Sequence, residues 1–358
     1  MSEKEGKAMK YDFDIEADRR GSNSLKWDVA ENELPMWVAD MDFRTAPQIT
    51  AALKKRAAHG VFGYSIVPDE WYKAYADWWK NRHGLDIEKQ RLIFCTGVVP
   101  AISSLVRKLT TPAEKVLIQT PVYNIFYNSI LNNGRNVLES PLVYENGGYS
   151  IDWDDLEDKL ADPQTTLEIH CDLTDPNRNY VPFATVSETC REVSVTCIAP
   201  TKAFNIAGLQ TAAVYAPNPR LYNKAVRSLN TDEVAEPNAF AVEAAVAAFS
   251  EGGEWLDELR EYIFANKQYT AKFLAEKLPE LFLVRSEATY LLWIDCSKVS
   301  PNASELASFI RKKTGLYVSS GEQYGECGKA FIRLNIACPR STLTDGLDRL
   351  YEGVKKFR

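Results

Sequence analysis

Between Arg91 and Leu109 a short apolar run, R-L-I-F-C-T-G, passes without a spacer into V-V-P-A-I-S-S-L-V-R-K-L, where apolar residues recur at helical spacing. A chain that turns from strand to helix in this way, and repeats it, builds an α/β layer with a mostly parallel sheet. The repeats are present. Helices are predicted over 47–60, with proline in front and glycine behind, and over 69–83, closed by Gly84. A strand follows at Lys115–Gln119, a helix after P-V-Y, and a short strand at Asn136–Glu139. Another β-branched run begins at Val195, and a further strand-like run spans Gln210–Ala216.

From about Pro237 the character changes to long helical material reaching almost to Pro279. After it come strand (Ala288–Asp295), helix (Ala303–Thr314), strand (Ala330–Ala337) and a last helix, the pattern of a second, smaller α+β domain. A chain of 358 residues is long enough for two such cores. Its net charge of −7 argues against a nucleic-acid surface or an anionic membrane surface. No apolar run reaches the ~18–20 residues of a membrane span, and M-S-E-K-E-G-K-A-M-K lacks the apolar segment of a secretory signal, so a cytoplasmic protein is expected. The seven cysteines form no C-x-x-C and the three histidines lie far apart, so no structural zinc site is expected.

Four places could carry chemistry. Thr96-Gly97 ends a strand and feeds a helix with proline in its first turn, where free N–H groups and the helix dipole favour an anion; an ordinary strand–helix turn reads the same. Lys202, in V-T-C-I-A-P-T-K-A-F-N-I-A-G-L (195–209), stands just past the carboxyl end of a strand, where open α/β sheets bind ligands. Shielded from water it would be an amine nucleophile or base; facing solvent it would be an ordinary surface lysine. Arg333 and Arg340 flank the strand L-N-I-A-C-P, and either could grip a carboxylate, from a ligand or from an internal acid. Tyr123 could present its ring to a flat ligand or belong to the core.

Taken in order, M-W-V-A-D-M-D-F (36–43), F-G-Y-S (62–65), T-G-V-V-P-A-I (96–102), P-V-Y-N-I-F (121–126), E-I-H-C-D-L (168–173), A-P-T-K-A-F-N-I-A-G-L (199–209) and F-I-R-L-N-I-A-C-P-R (331–340) form a recognisable set. From Tyr11 onward the chain resembles the MalY/PatB-type cystathionine β-lyases, carbon–sulfur lyases of the fold-type I pyridoxal-phosphate (PLP) aminotransferase superfamily. The resemblance implies a large PLP-binding domain over 48–255. A small domain over 256–358 would be joined by the N-terminal segment 1–47. Lys202 would carry the cofactor covalently. Gly97, Val98 and Val99 would offer N–H groups to its phosphate, Tyr123 would stack on its ring, and Thr201 would contact it. Tyr64 would reach the phosphate from the other subunit of a homodimer. Arg333 would hold the substrate α-carboxylate, with a backbone contact from Ala39. The implied reaction cleaves L-cystathionine or a related cysteine S-conjugate to a thiol, pyruvate and ammonia. Transamination and a non-catalytic, PLP-binding variant are the other readings.

One departure from the family pattern is large. Relatives of this type place an Asn-Pro turn, a helix and a further strand before E-I-H-C-D-L, with an aspartate just ahead of it to pair with the cofactor's ring nitrogen. Here D-W-D-D-L-E-D-K-L-A-D-P-Q-T-T-L runs straight into Glu168, and Leu167 holds the aspartate's place. The missing piece has the size of one α/β unit, about 30 residues. T-T-L-E-I-H would then be a fused strand, the sheet parallel and continuous but one strand shorter. Glu168 or Asp172 would be the carboxylates left to serve the ring nitrogen. A smaller departure is Gln210, where many aminotransferases carry a phosphate-binding arginine.

Overall fold

The computed structural model describes residues 9–160, 168–169 and 173–357. In chain order the elements are β1 (Leu34–Pro35), α1 (Pro47–His59), α2 (Asp69–His83), β2 (Leu92–Cys95), α3 (Val98–Leu109), β3 (Lys115–Thr120), α4 (Ile125–Leu131), β4 (Asn136–Pro141), β5 (Val143–Glu145), β6 (Gly148–Ser150), α5 (Trp153–Leu160), β7 (Glu168–Ile169) and α6 (Glu188–Val193). They continue with β8 (Thr196–Ile198), β9 (Ala212–Tyr215), α7 (Pro219–Thr231), α8 (Ala241–Glu251), α9 (Gly253–Lys277), β10 (Phe282–Leu283), β11 (Leu291–Asp295), α10 (Ala303–Thr314), β12 (Leu316–Tyr317), β13 (Ser319–Ser320), β14 (Phe331–Asn335) and α11 (Arg340–Phe357). The predicted helices at 47–60 and 69–83 are observed, each closed by a glycine, Gly60 and Gly84, in the left-handed conformation that glycine adopts without steric cost.

The first large sheet has the order β2-β9-β8-β7. β2, β8 and β7 share one direction and β9 runs against them. Both faces are covered, which is why these strands read as continuous apolar runs. Side chains alternate between the two faces as a pleated strand requires. Leu92, Phe94, Ala213, Tyr215 and Ile198 join a core built with α1, α2, α8 and α9. Ile93, Cys95, Val214, Ala216 and Cys197 join a second core under α3 and α7.

The expected fused strand T-T-L-E-I-H lies mostly outside the described residues, which include only its Glu168 and Ile169, as β7. β3 and β4 form a separate parallel pair, and among the described residues β3 has no ladder to β7. The second core nevertheless extends to β3 through Val116 and Ile118, so both pieces lie under the same helix layer. On the opposite face Leu117 is buried yet joins neither core. We expect the β3 amides to exchange with solvent at least about tenfold faster than those of β9, which is fully buried and paired on both sides. Residue-resolved hydrogen exchange reads this directly, and equal protection would show that something seals the β3 edge.

The C-terminal sheet is antiparallel, order β10-β11-β14-β13, backed by α10 and α11. The N-terminal segment joins this layer, because β1 pairs in parallel with β12, Leu34 opposite Leu316. Among the described residues no helix is long and apolar enough to cross a membrane.

Candidate active site

In the register of the large sheet Cys95 lies opposite Ala212, and Ile198 opposite Ala213. β2 and β8 therefore end at the same edge. Gly97 follows the first by two residues and Lys202 the second by four, so both leave that edge together. Gly97 is extended, and a Cβ there would come within 3.2 Å of Pro100 Cδ, tighter than an ordinary contact. It opens α3, whose Val98 and Val99 N–H groups have no backbone acceptor among the described residues. Pro100, next in line, has no N–H to satisfy. The turn thus presents unpaired donors at a helix start, the arrangement that holds a phosphate.

The turn carrying Lys202 is strapped to the segment 37–45. Asn205, held with φ 54°, accepts from the Met41 N–H at 3.0 Å and donates to the Met41 and Phe43 carbonyls at 2.9 and 2.8 Å. The Thr45 hydroxyl donates to the Phe204 carbonyl at 2.7 Å. With both segments fixed, the Lys202 amine donates to the Ala39 carbonyl at 2.7 Å, and the Tyr290 hydroxyl donates to the same oxygen at 3.1 Å. Lys202 opens onto the cleft, but the surrounding protein lowers its pKa. Burial is the largest cause; Asp40 opposes it and Arg333 adds to it. A larger share of the amine is uncharged at neutral pH than for a surface lysine.

Arg333 lies mid-strand in β14, between Trp293 and Ser319 of its neighbours. Its Nη2 donates to the Trp37 carbonyl at 2.7 Å and its guanidinium sits 4.6 Å from the centre of the Tyr324 ring. Its Nε is buried with no partner among the described residues. Burial lowers its pKa, partly offset by Tyr324, Tyr123 and Tyr290. A half-buried guanidinium with its Nε unused is incomplete by itself and fits a carboxylate brought in from outside.

Arg340 has found internal partners. Its backbone N–H reaches Asp14 and the Tyr262 hydroxyl, its Nε donates to Asn266 at 2.8 Å, and its guanidinium lies 4.5 Å from the Tyr269 ring centre. Of the two arginines only Arg333 belongs to the cleft. Tyr123 is half exposed after β3 and close enough to Arg333 to act on its charge. Thr201 is partly exposed beside the lysine, and its carbonyl accepts from the Ile206 N–H at 3.0 Å. Gln210 adopts a left-handed turn with φ 52°.

Tyr64 is fully exposed, on a stretch that also exposes Val61, Phe62 and Ile66. Within one chain it stands outside the cluster. Leu167 and Asp172 lie outside the described residues, and of Glu168 only the backbone pairing with Thr196 is described. Asp175, the next acid along, is engaged elsewhere: it is paired at 2.5 Å with the well-buried Lys267.

Several contributors carried no strong signal in the sequence. Asn335 donates to the Val38 and Asp40 carbonyls at 2.6 Å each, and its one clue is a lone amide in an apolar strand. Asn205 and Tyr290 act through distant backbone. Arg19 and Lys26, which bind Asp40 and Asp42, sit in a stretch that reads as a polar turn.

The aminotransferase class I and II family matches over residues 31–176 and again over 168–350. The match restarts where the sequence lacks its α/β unit. Cystathionine beta-lyase PatB of Bacillus subtilis is 39% identical over 380 aligned positions, covering 94% of this chain and 98% of that protein. Those positions outnumber the 358 residues available here, so the relative has residues with no counterpart in this chain. Protein MalY of Escherichia coli is 30% identical, over 97% of this chain and all of its own length. Cystalysin from Treponema denticola, whose crystal structure contains pyridoxal 5'-phosphate, superposes with a TM-score of 0.92 at 29% identity, over 98% of this chain and 100% of its own. With the lysine, the arginine and the helix-start turn gathered at one sheet edge, and this agreement along nearly its whole length, the chain belongs to the aminotransferase class I and II family, in its MalY/PatB branch.

Proposed function

We propose that this protein is a PLP-dependent carbon–sulfur β-lyase acting on L-cystathionine or a related cysteine S-conjugate. One observation supports this above the rest. A lysine amine whose pKa burial lowers rests on the Ala39 carbonyl, and nearby the half-buried Arg333 keeps its Nε unused. The residues fit the cofactor: Lys202 to carry it, the Gly97, Val98 and Val99 turn to take its phosphate, Tyr123 to cover its ring, and Thr201 alongside. Pyridoxal phosphate, when bound, supplies an electron sink for the pair left at the substrate's α-carbon.

The protein's own work is positioning and proton transfer. Arg333 grips the α-carboxylate in a fork, with the Ala39 backbone beside it, and so places the α-hydrogen near Lys202. Released when the substrate's own amine takes its place, the uncharged amine of Lys202 would accept that proton, and with the Cβ–S bond broken the sulfur would depart as thiolate. Elimination followed by hydrolysis yields thiol, pyruvate and ammonia. Tyr64 and its apolar neighbours suit a homodimer in which Tyr64 serves the partner's phosphate turn.

A second reading, a PLP-binding protein without turnover, is favoured by the engagement of Asp175, the next described acid after E-I-H, with Lys267. One experiment separates the readings. Purified protein given pyridoxal phosphate is expected to develop a visible absorption band and then release thiol and pyruvate in equal amounts from L-cystathionine. A band without pyruvate would sink the lyase reading and leave the second. Conversion of the cofactor to its amine form, with a keto acid as product, would mean transamination instead.

A further inference from the structure

The segment facing Lys202 has its carbonyls taken up one by one by side chains from elsewhere in the chain. Behind it stand two carboxylates and two cations. Arg19 donates to both oxygens of Asp40, at 2.7 and 3.2 Å, to Asp42 at 2.8 Å and to the Met41 carbonyl at 3.0 Å. Lys26, with a side chain 1% exposed, reaches Asp42 at 2.7 Å, the Asp40 carbonyl at 3.3 Å and the Asp40 carboxylate at 3.8 Å. The Trp27 indole N–H donates to Asp42 at 2.8 Å. The charges balance, so the group has no excess to shed.

Asp40 is the member that matters for the cleft. It is next in sequence to Ala39, whose carbonyl holds the lysine amine. Among the described residues it is the carboxylate that acts on Lys202, opposing burial and Arg333. The other groups facing this corner are the Tyr290 hydroxyl on the Ala39 carbonyl, and Tyr123 and Tyr324 beside Arg333. Asp40 is partly exposed and bound mainly by one guanidinium, with the Lys26 amine farther off. Released from that guanidinium, a carboxylate one residue along from the carbonyl that holds the Lys202 amine could turn toward that amine and hold its proton.

We infer that Arg19 is a positioning residue for the proposed reaction: by engaging both oxygens of Asp40 it stops that carboxylate from closing on the Lys202 amine. The inference rests on Lys202 being the reacting amine, but its test needs neither cofactor nor turnover. The rate at which acetic anhydride acetylates Lys202, followed by peptide mass spectrometry as a function of pH, reports the pKa of that one amine. In Arg19→Gln the midpoint is expected to rise by about one pH unit, leaving the amine about tenfold less reactive on the acid side. Arg19→Lys, which keeps the charge but loses the fork, should lie between. In Arg19→Gln with Asp40→Asn the rise should vanish. A general loosening of structure would not be reversed by removing the carboxylate.

Asp40→Asn alone keeps the test open should Arg19→Gln fail to fold; its Lys202 midpoint should fall below that of the unmodified chain. An unchanged midpoint in Arg19→Gln or in Asp40→Asn, or a raised one persisting in the double variant, overturns the inference. Absence of pyruvate release would count against the lyase reading alone and would leave the acetylation titration as informative as before.

Discussion

Lys202→Ala is expected to abolish the visible band formed with pyridoxal phosphate and to lower pyruvate release from L-cystathionine by about 10³-fold or more. Positioned general bases typically contribute 10²–10⁴-fold, and here the same side chain also anchors the cofactor. The fold should hardly notice. The Ala39 carbonyl keeps the Tyr290 hydroxyl, and Lys202 makes no ion pair among the described residues. A thermal midpoint within a few degrees of the parent, together with a lost band, is the expected pair of results. A band that survives the substitution would mean that another amine holds the cofactor, and the assignment of Lys202 would fall.

Arg333→Leu should raise KM for L-cystathionine by about 10²-fold or more, since hydrogen bonds to charged groups are worth roughly 1.5–3 kcal/mol each and the fork makes two. The fold should tolerate the change, because the Trp37 carbonyl retains the Ser319 hydroxyl at 3.2 Å. Arg333→Lys should recover only part of the loss, because an ammonium cannot reproduce the planar fork. Arg340→Ala makes the contrast. It gives up the Asn266 hydrogen bond and the Tyr269 stacking, so it should lower the denaturation midpoint while leaving KM near the parent value. Steady-state kinetics on the three variants, with urea melts alongside, checks the set. An unchanged KM in Arg333→Leu would remove Arg333 from substrate binding.

The two arginines also show where sequence reading stops. In the sequence they look alike, one on either side of L-N-I-A-C-P, but in the fold Arg333 lies within β14 and Arg340 opens α11. What separates them is that Asp14, Tyr262 and Asn266, from the N-terminal segment and α9, converge on Arg340, whereas Arg333 meets one carbonyl and an aromatic ring. Lys26 is a sharper case. In S-L-K-W-D it reads as a surface residue, yet it is among the most buried side chains because Asp42, sixteen residues later, folds back over it. The place of Lys202 just past a buried strand was legible, but the residues alone left a surface lysine and a reacting amine both open. That its amine would rest on the Ala39 carbonyl, 163 residues away, was not legible.

The absent α/β unit belongs to the same contrast. Counting residues between α5 and E-I-H shows that something is missing, and a fused strand in a continuous sheet is the natural expectation. Among the described residues the pairing gives a four-stranded sheet and a β3–β4 pair under one helix layer, and most of the fused strand lies outside them. The alternation of strands and helices, their caps, the covered sheet and the lysine at the strand end were all determined by the sequence alone, because periodicity and turn chemistry act within about ten residues. The tertiary structure alone decided which arginine stays available, which acid is engaged elsewhere and how the buried charges behind Asp40 are balanced. Each of those depends on partners tens to hundreds of residues apart, and a side chain's charge and reach are neutralised or left free only once the folded chain has brought those partners together.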